Sequence, residues 1–239
     1  MRTSRLGVVL VAHGSRDPRA AAATSALASA VGAHFEQWEV HASYLDHAGP
    51  RPLDVLRWLS RSGARRAVVV PLLLTAAYHG KVDIPSVLRD ASSLDLDVSL
   101  ADVLGPASDL LIDGLVRRLP TTELDAVVLA AAGTRDAAAR TTVADAAAAL
   151  GARLGLPYTV AYASAAGPTA DVAVRSLGPG RVGVASYFLA PGLLYDKAVT
   201  AALEAGAVAV APPLTDAPEI VELVGRRVYS ALTEGLMAA

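Results

Sequence analysis

The chain has 239 residues, of which 53% are hydrophobic and 18% are charged, and its formal net charge is −2. This length fits one large domain or two smaller ones, and the hydrophobic share is large enough to form a buried core. The near-neutral charge gives no electrostatic basis for binding nucleic acid or an anionic membrane. The sequence contains no cysteine, which excludes disulfides, thiolate zinc sites, iron–sulfur clusters and cysteine nucleophiles.

The first apolar run, residues 6–12, follows a basic N-terminus. It is too short to span a membrane, and it ends in His13 and Gly14 rather than in a small-residue cleavage site. The run therefore predicts a buried strand, not a signal peptide, and we expect a cytoplasmic protein.

Short apolar runs then alternate with helical segments along the chain. In the first half, strands are predicted at 6–12, 39–45, 67–74 and 98–102, and helices at 18–33, 51–62, 82–92 and 108–118. In the second half, strands are predicted near 126–132, 158–163, 182–189 and 207–211, and helices near 137–154, 169–177, 193–205 and 217–234. Apolar strands joined by helices indicate a parallel sheet covered on both faces. The sequence predicts an α/β fold of two similar domains, each a four-stranded parallel sheet flanked by helices.

The two halves are related by an internal repeat. Residues 8–17 match residues 127–136, which places His13 opposite Ala132 at an offset of 119 residues. Further along, Gly49-Pro50 matches Gly167-Pro168, and residues 70–74 match residues 186–190. Because Pro120 ends the preceding helix, the predicted domains are 1–119 and 120–239.

The repeat loses its histidines in the second copy. All five histidines lie within the first 79 residues, and His13 and His79 face Ala132 and Tyr195. Asp46 likewise faces Ser164. This asymmetry predicts that the first domain carries the catalytic and metal-binding residues and that the second domain supports it.

The three residues that lose their counterparts all follow predicted strands. In a parallel sheet, ligands bind beyond the carboxyl ends of the strands, so His13, Asp46 and His79 are expected on one edge. Two imidazoles and a carboxylate suit a divalent transition metal, and they also suit proton abstraction near neutral pH. These three residues are the predicted catalytic and metal-binding set. For Asp46 the alternative is a turn that caps the next helix.

The remaining histidines carry weaker signals. His34 and His41 are interpreted as structural or solvated residues. His47 is left open, because its neighbour Asp46 is the better candidate.

Basic residues near the same edge are candidates for substrate binding. Ser15 and Arg16 lie in a turn before a helix, where backbone amides can bind an anion. Lys81 matches Lys197, and Arg16 matches Arg135, so cations recur in both halves. We expect Ser15, Arg16, Lys81, Arg135 and Lys197 to contact a substrate that carries several carboxylates. The alternatives are plain solvation of the cations and helix capping by Ser15.

Three segments together resemble the sirohydrochlorin chelatases. They are residues 11–17, with their His13-Gly14-Ser15 motif, residues 44–46, and residues 70–85, which contain Tyr78-His79-Gly80. The resemblance covers essentially the whole chain in the two-copy form. It implies two α/β domains facing across a cleft that receives the tetrapyrrole, with His13 and His79 as the functional histidines. Asp46 stands where the family commonly carries Glu.

The resemblance also implies the reaction and its partners. A divalent metal is inserted into sirohydrochlorin in siroheme or cobalamin biosynthesis, with Fe²⁺ favoured and Co²⁺ possible. The metal is a substrate, so no permanently bound cofactor is expected. Sirohydrochlorin and the metal ion are the expected partners, without nucleic acid or membrane. A monomer is favoured over a dimer, because two internal domains can replace a homodimer of single domains.

Two other functions remain open at this point. A non-catalytic carrier of metal or tetrapyrrole would use the same groups as a chelatase. A histidine-dependent phosphoryl-transfer enzyme is the second alternative. Histidine phosphatases place Arg directly before the His-Gly pair, however, and that position is Ala12 here.

Overall fold

The structure is a computed structural model that describes residues 5–75, 86–106, 108–120, 123–165 and 167–237. The chain forms two compact units. One comprises residues 1–104 and 221–239, and the other comprises residues 105–220. In the described part of the chain, no helix is both long enough and apolar enough to cross a membrane.

The first unit is built on a four-stranded sheet. Its strands are β1 (Leu6–Ala12), β2 (Trp38–Tyr44), β3 (Arg66–Pro71) and β4 (Asp97–Leu100), all parallel, in the order β2-β1-β3-β4. Helices α1 (Pro18–His34) and α2 (Pro52–Arg61) connect the early strands, and residues 86–91 are also helical. The central strands β1 and β3 are buried almost throughout, as expected for a parallel sheet covered on both faces.

The second unit repeats this architecture. Helix α3 (Asp109–Arg118) precedes the strands β5 (Ala126–Ala131), β6 (Tyr158–Tyr162), β7 (Val182–Tyr187) and β8 (Ala209–Val210). These strands are parallel, in the order β6-β5-β7-β8. Helices α4 (Ala137–Leu154), α5 (Ala170–Ser176) and α6 (Leu193–Glu204) connect them, and α7 (Pro218–Met237) ends the described chain. The predicted fold class is confirmed, with β3 ending at Pro71 rather than at residue 74 and β8 reduced to two residues.

The helix that follows β1 and the one that follows β5 begin in the same way. Asp17 caps α1 by accepting a hydrogen bond from the backbone N–H of Arg19, and Pro18 occupies the first helical position. Asp136 caps α4 by accepting from the N–H groups of Ala138 and Ala139. Each carboxylate satisfies backbone donors that have no partner within the helix. The conserved Asp of the repeat therefore has a scaffold role.

The division into compact units differs from the predicted boundary at 119/120. Helix α3 lies in the first sequence repeat, yet it packs against α4 and β7 of the second unit. Most of α7 belongs to the first unit, where the Tyr229 ring lies 5.3 Å from that of Trp38 and 6.2 Å from that of Phe35. The last helix of the first repeat, α3, therefore belongs to the second unit, and most of the last helix of the second repeat, α7, belongs to the first unit.

The strand registers also correct one detail of the repeat. The sequence match pairs Pro71 with Tyr187, at an offset of 116 residues. In the sheets, Pro71 lies opposite Val11, and Ser186 lies opposite Ala130, which is the repeat equivalent of Val11. The third strands therefore correspond at an offset of 115 residues, from Pro71 to Ser186.

Candidate functional site

His13 and Asp46 meet at the carboxyl edge of the first sheet. Strand β1 ends at Ala12 and β2 at Tyr44, but the pairing of their backbones continues for two more residues. The N–H of Leu45 donates to the carbonyl of Ala12 at 3.0 Å, and the N–H of Asp46 donates to the carbonyl of His13 at 2.8 Å. The structure thus brings these two predicted site residues side by side.

Gly14 makes this close approach possible. Its φ of +95° lies in the left-handed region, and a Cβ at this position would stand only 1.8 Å from the carbonyl oxygen of Asp46. Only glycine combines that backbone conformation with that proximity. The glycine of the His-Gly pair is therefore required by the turn that carries the site.

A cavity of about 350 Å³ opens beside these residues. Its polar lining includes His13, Asp46 and Arg51, and its apolar lining includes Leu45, Leu53 and Val87. A concave site with a few convergent polar groups on an apolar wall is the usual form of a small-molecule or ion site.

The Asp46 carboxylate is held in its ionised form. Its Oδ1 accepts a 2.8 Å hydrogen bond from the backbone N–H of His47, and its Oδ2 lies 3.4 Å from the Nε2 atom of His47. The backbone hydrogen bond is the main reason that the pKa of Asp46 is lowered; burial opposes it, and the nearby His47, Arg51 and His13 lower it further. The carboxylate does not cap α2, because the N-cap of that helix is Arg51, which makes no side-chain capping bond.

His47, which the sequence pattern left open, lies near His13 in the structure. Its backbone has a φ of +58°, and its ring centroid lies 6.4 Å from that of His13, with the two rings nearly perpendicular. A signal for it was available in the repeat. His47 stands two residues before Gly49, as Ala165 stands two residues before Gly167, so a third imidazole is lost in the second copy.

The second sheet has the same edge without the imidazoles. Gly133 has a φ of +96°, and a Cβ there would stand 1.9 Å from the carbonyl oxygen of Ser164. Ala165 has a φ of +60°, close to that of His47. The Ser164 hydroxyl donates to the carbonyl of Ala132 at 2.8 Å. The backbone of the site loop is therefore duplicated, while its chemical groups are present in one copy.

Four of the five predicted substrate-binding residues lie in the described part of the chain. In the first unit, Arg16 is exposed, and the hydroxyl of Ser15 accepts a 3.1 Å hydrogen bond from the N–H of Asp17. In the second unit, Arg135 and Lys197 are both exposed.

The other predicted histidine and lysine, His79 and Lys81, lie outside the described residues. Among the residues that are described, no three His, Asp or Glu side chains converge on one metal position. The described part of the edge offers two imidazoles, His13 and His47, and one carboxylate, Asp46, that contacts His47.

His34 and His41 lie apart from this cavity. The His34 ring contacts Phe35, with centroids 4.6 Å apart, and the His41 ring contacts Trp58 at 4.9 Å. Both placements fit the structural interpretation of these two residues.

Fold and site together define an internally duplicated α/β protein with one imidazole-bearing sheet edge. The chain belongs to the CbiX family, whose model matches it twice, over residues 7–122 and 126–231. The two matches correspond to the two copies of the repeat.

Individual relatives are more distant. A sirohydrochlorin cobaltochelatase of Methanococcoides burtonii is 23% identical over 87 residues, which are 36% of this chain and 66% of that protein. One from Methanosarcina acetivorans is 23% identical over 126 residues, 49% of this chain and 96% of that protein. The structure of SirB from Bacillus subtilis with Fe³⁺ has the same fold, with a TM-score of 0.83 at 23% identity over 97% of this chain and 98% of that one.

Proposed function

We propose that this protein is a chelatase that inserts a divalent metal ion into sirohydrochlorin. Membership of the CbiX family supports the proposal, as do the two relatives that are named sirohydrochlorin cobaltochelatases. The residues at the edge of the first sheet supply the chemical groups that such a reaction needs.

The observation that carries the proposal is the contrast between two equivalent loops. Gly14 and Gly133 have the same conformation and approach equivalent carbonyls, those of Asp46 and Ser164, so both loops are built alike. Only the first presents imidazole and carboxylate groups, at His13, Asp46 and His47. A purely structural role would not distinguish the two copies in this way, whereas a reaction at one edge would.

The chemistry requires two things of the protein. The metal must be held and then released to the ring nitrogens, and two pyrrole protons must be accepted. Imidazole is a good ligand for divalent iron and cobalt, and it accepts protons near neutral pH. In this proposal His13 and His79 hold the metal and, once it has passed to the ring nitrogens, accept the two pyrrole protons, while Asp46 supplies negative charge at the site. The metal is a substrate and not a resident cofactor.

Sirohydrochlorin carries eight carboxylates, and the cations of this chain are proposed to bind them. Arg16 and Ser15 lie next to His13, and Lys81 follows His79 in the sequence. Arg135 and Lys197 are exposed in the second unit. Contacts between guanidinium or ammonium groups and carboxylates are charge-assisted, and they orient a substrate without taking part in its chemistry.

We propose Fe²⁺ as the favoured metal and Co²⁺ as the competing one. Iron would place the product in siroheme biosynthesis, and cobalt would place it in cobalamin biosynthesis. Two imidazoles and a carboxylate bind either ion, so the choice must be measured.

The test is an anaerobic absorption assay with sirohydrochlorin and limiting protein. The proposal predicts multiple turnovers of metal insertion above the rate without protein, faster with Fe²⁺ than with Co²⁺. One equivalent of bound metal or tetrapyrrole without turnover would instead identify a carrier. No effect on either substrate would refute both functions.

A further inference from the structure

We propose that His47 is a ligand of the incoming metal beside His13, and that Asp46 positions its ring. The inference rests on the proposed function and adds a residue to that site. The imidazoles of His13 and His47 then receive the metal, and the Asp46 carboxylate contacts His47.

The separation of the two rings lies at the upper limit for a shared metal. A metal bound to imidazole lies about 2.0–2.1 Å from the nitrogen, hence about 3.2 Å from the ring centroid. Two rings on one metal therefore have centroids at most about 6.4 Å apart, and about 5 Å in a tetrahedral arrangement. The observed separation is 6.4 Å. A tetrahedral site therefore requires the two rings to approach each other by about 1 Å, and the side chain of His47, which is 35% exposed, is free to rotate toward His13.

Asp46 is placed to support His47 rather than to reach a metal itself. One carboxylate oxygen accepts the backbone N–H of His47 at 2.8 Å, and the other lies 3.4 Å from the Nε2 atom of the same residue. A carboxylate on one ring nitrogen leaves the other nitrogen for the metal and fixes the orientation of the ring.

The repeat shows that the turn itself does not require histidine. Ala165 adopts a φ of +60° where His47 adopts +58°, so the loop imposes the left-handed conformation in both copies. The imidazole at residue 47 is therefore an addition to the scaffold, found in the copy that also carries His13 and Asp46.

His41 provides a matched control. It is also a histidine of the first unit with a carboxylate nearby, since its Nε2 lies 3.6 Å from Oε1 of Glu39. Its ring packs on Trp58, whereas the ring of His47 lies 6.4 Å from that of His13. Loss of His41 removes the same functional group at a similar exposure without touching the proposed ligand pair.

The experiment is a titration of the apoprotein with Co²⁺, followed by the visible ligand-field spectrum. His47→Asn is the test variant, because Asn tolerates a positive φ. We expect His47→Asn to weaken Co²⁺ binding at least tenfold and to change the ligand-field bands, while His41→Asn leaves both unchanged. Unchanged affinity and bands in a folded His47→Asn variant would overturn the assignment.

A gain-of-site variant tests the same inference independently. Combining Ala132→His, Ser164→Asp and Ala165→His places the three groups on the duplicated loop, and we expect the Co²⁺ stoichiometry to rise from one to two. An unchanged stoichiometry in the folded triple variant would count against the assignment.

Turnover with sirohydrochlorin is measured separately. If the wild-type protein turns over and His47→Asn binds Co²⁺ as tightly as the wild type, only the ligand assignment is refuted. If the wild-type protein shows no turnover and His47→Asn binds Co²⁺ more weakly, only the proposed function is refuted.

Discussion

Replacing Gly14 with alanine should damage the site more than the fold. The new Cβ would stand 1.8 Å from the carbonyl oxygen of Asp46, whereas real Cβ contacts are essentially never shorter than 3.0 Å. One of the two chain segments must therefore move by at least about 1.2 Å, which breaks the 2.8 Å hydrogen bond from Asp46 to His13. The left-handed conformation costs a non-glycine residue about 1–2 kcal/mol, and the lost hydrogen bond costs about 1 kcal/mol more.

Gly133→Ala is the matched control for this change. It has the same φ and the same close approach to a carbonyl, that of Ser164, so both variants should lose about 2–3 kcal/mol of stability. Urea unfolding followed by circular dichroism measures that loss. Metal insertion is then compared at a temperature where both variants are folded. A displacement near 1 Å at a catalytic group can cost about 100-fold in rate, and we expect at least a tenfold loss for Gly14→Ala alone. Equal insertion rates for the two variants would refute the placement of the site.

Three further predictions concern the scaffold and the substrate. Hydrogen bonds from Arg19 lower the pKa of Asp17. The charged carboxylate therefore stabilises the fold above its ordinary pKa, and this stabilisation is lost as the pH falls. The difference in melting temperature between wild type and Asp17→Asn should narrow between pH 5 and pH 3. A Cβ at residue 225 would stand 2.3 Å from the Phe35 ring, so Gly225→Ala should cost about 1–3 kcal/mol in urea unfolding, and Phe35→Leu should recover part of that loss. Arg16→Ala should raise the KM for sirohydrochlorin about tenfold with a smaller change in kcat, and this effect should shrink as salt increases.

Each of these predictions has a clear contrary result. A pH-independent difference for Asp17→Asn would mean that its charge adds nothing to capping. Additive losses in Gly225→Ala and Phe35→Leu would mean that the two residues do not meet as described. For Arg16, the control is Arg61→Ala at the last turn of α2, and an equal rise in KM in both variants would indicate a general charge effect.

Sequence patterns could predict most of the fold because the signals were strong. The strands β1 and β5 are apolar runs that end at glycine turns, and the Asp17 and Asp136 caps mark the helix starts within a residue. The sequence predicts a strand at 207–211, whereas β8 has only two residues. An apolar stretch does not reveal where strand pairing stops.

The association of the terminal helices could not be predicted from the repeat. Helix α3 follows the first sheet in the sequence, but its packing against α4 depends on which buried face fits best. An internal repeat defines equivalent elements, and it does not define the partners of a terminal helix. The one-residue error at the third strands has a similar origin, since apolar runs can be matched in more than one register.

At the site, the pairing of His13 with Asp46 followed from the sheet edge, which collects the ends of parallel strands. The place of His47 did not follow. Adjacent residues in an extended chain point to opposite sides, so a neighbour of Asp46 is not expected to approach His13. The positive φ of His47 and the 6.4 Å separation of its ring from that of His13 are visible only in the structure.

The most direct test of the account is the rate of Fe²⁺ insertion into sirohydrochlorin by His13→Ala under anaerobic conditions. His13 is exposed, at the end of a buried strand, so its removal should leave the urea midpoint unchanged. We expect at least a tenfold lower rate at limiting enzyme with an intact fold. A fully active His13→Ala variant would contradict it and would place the chemistry elsewhere in the chain.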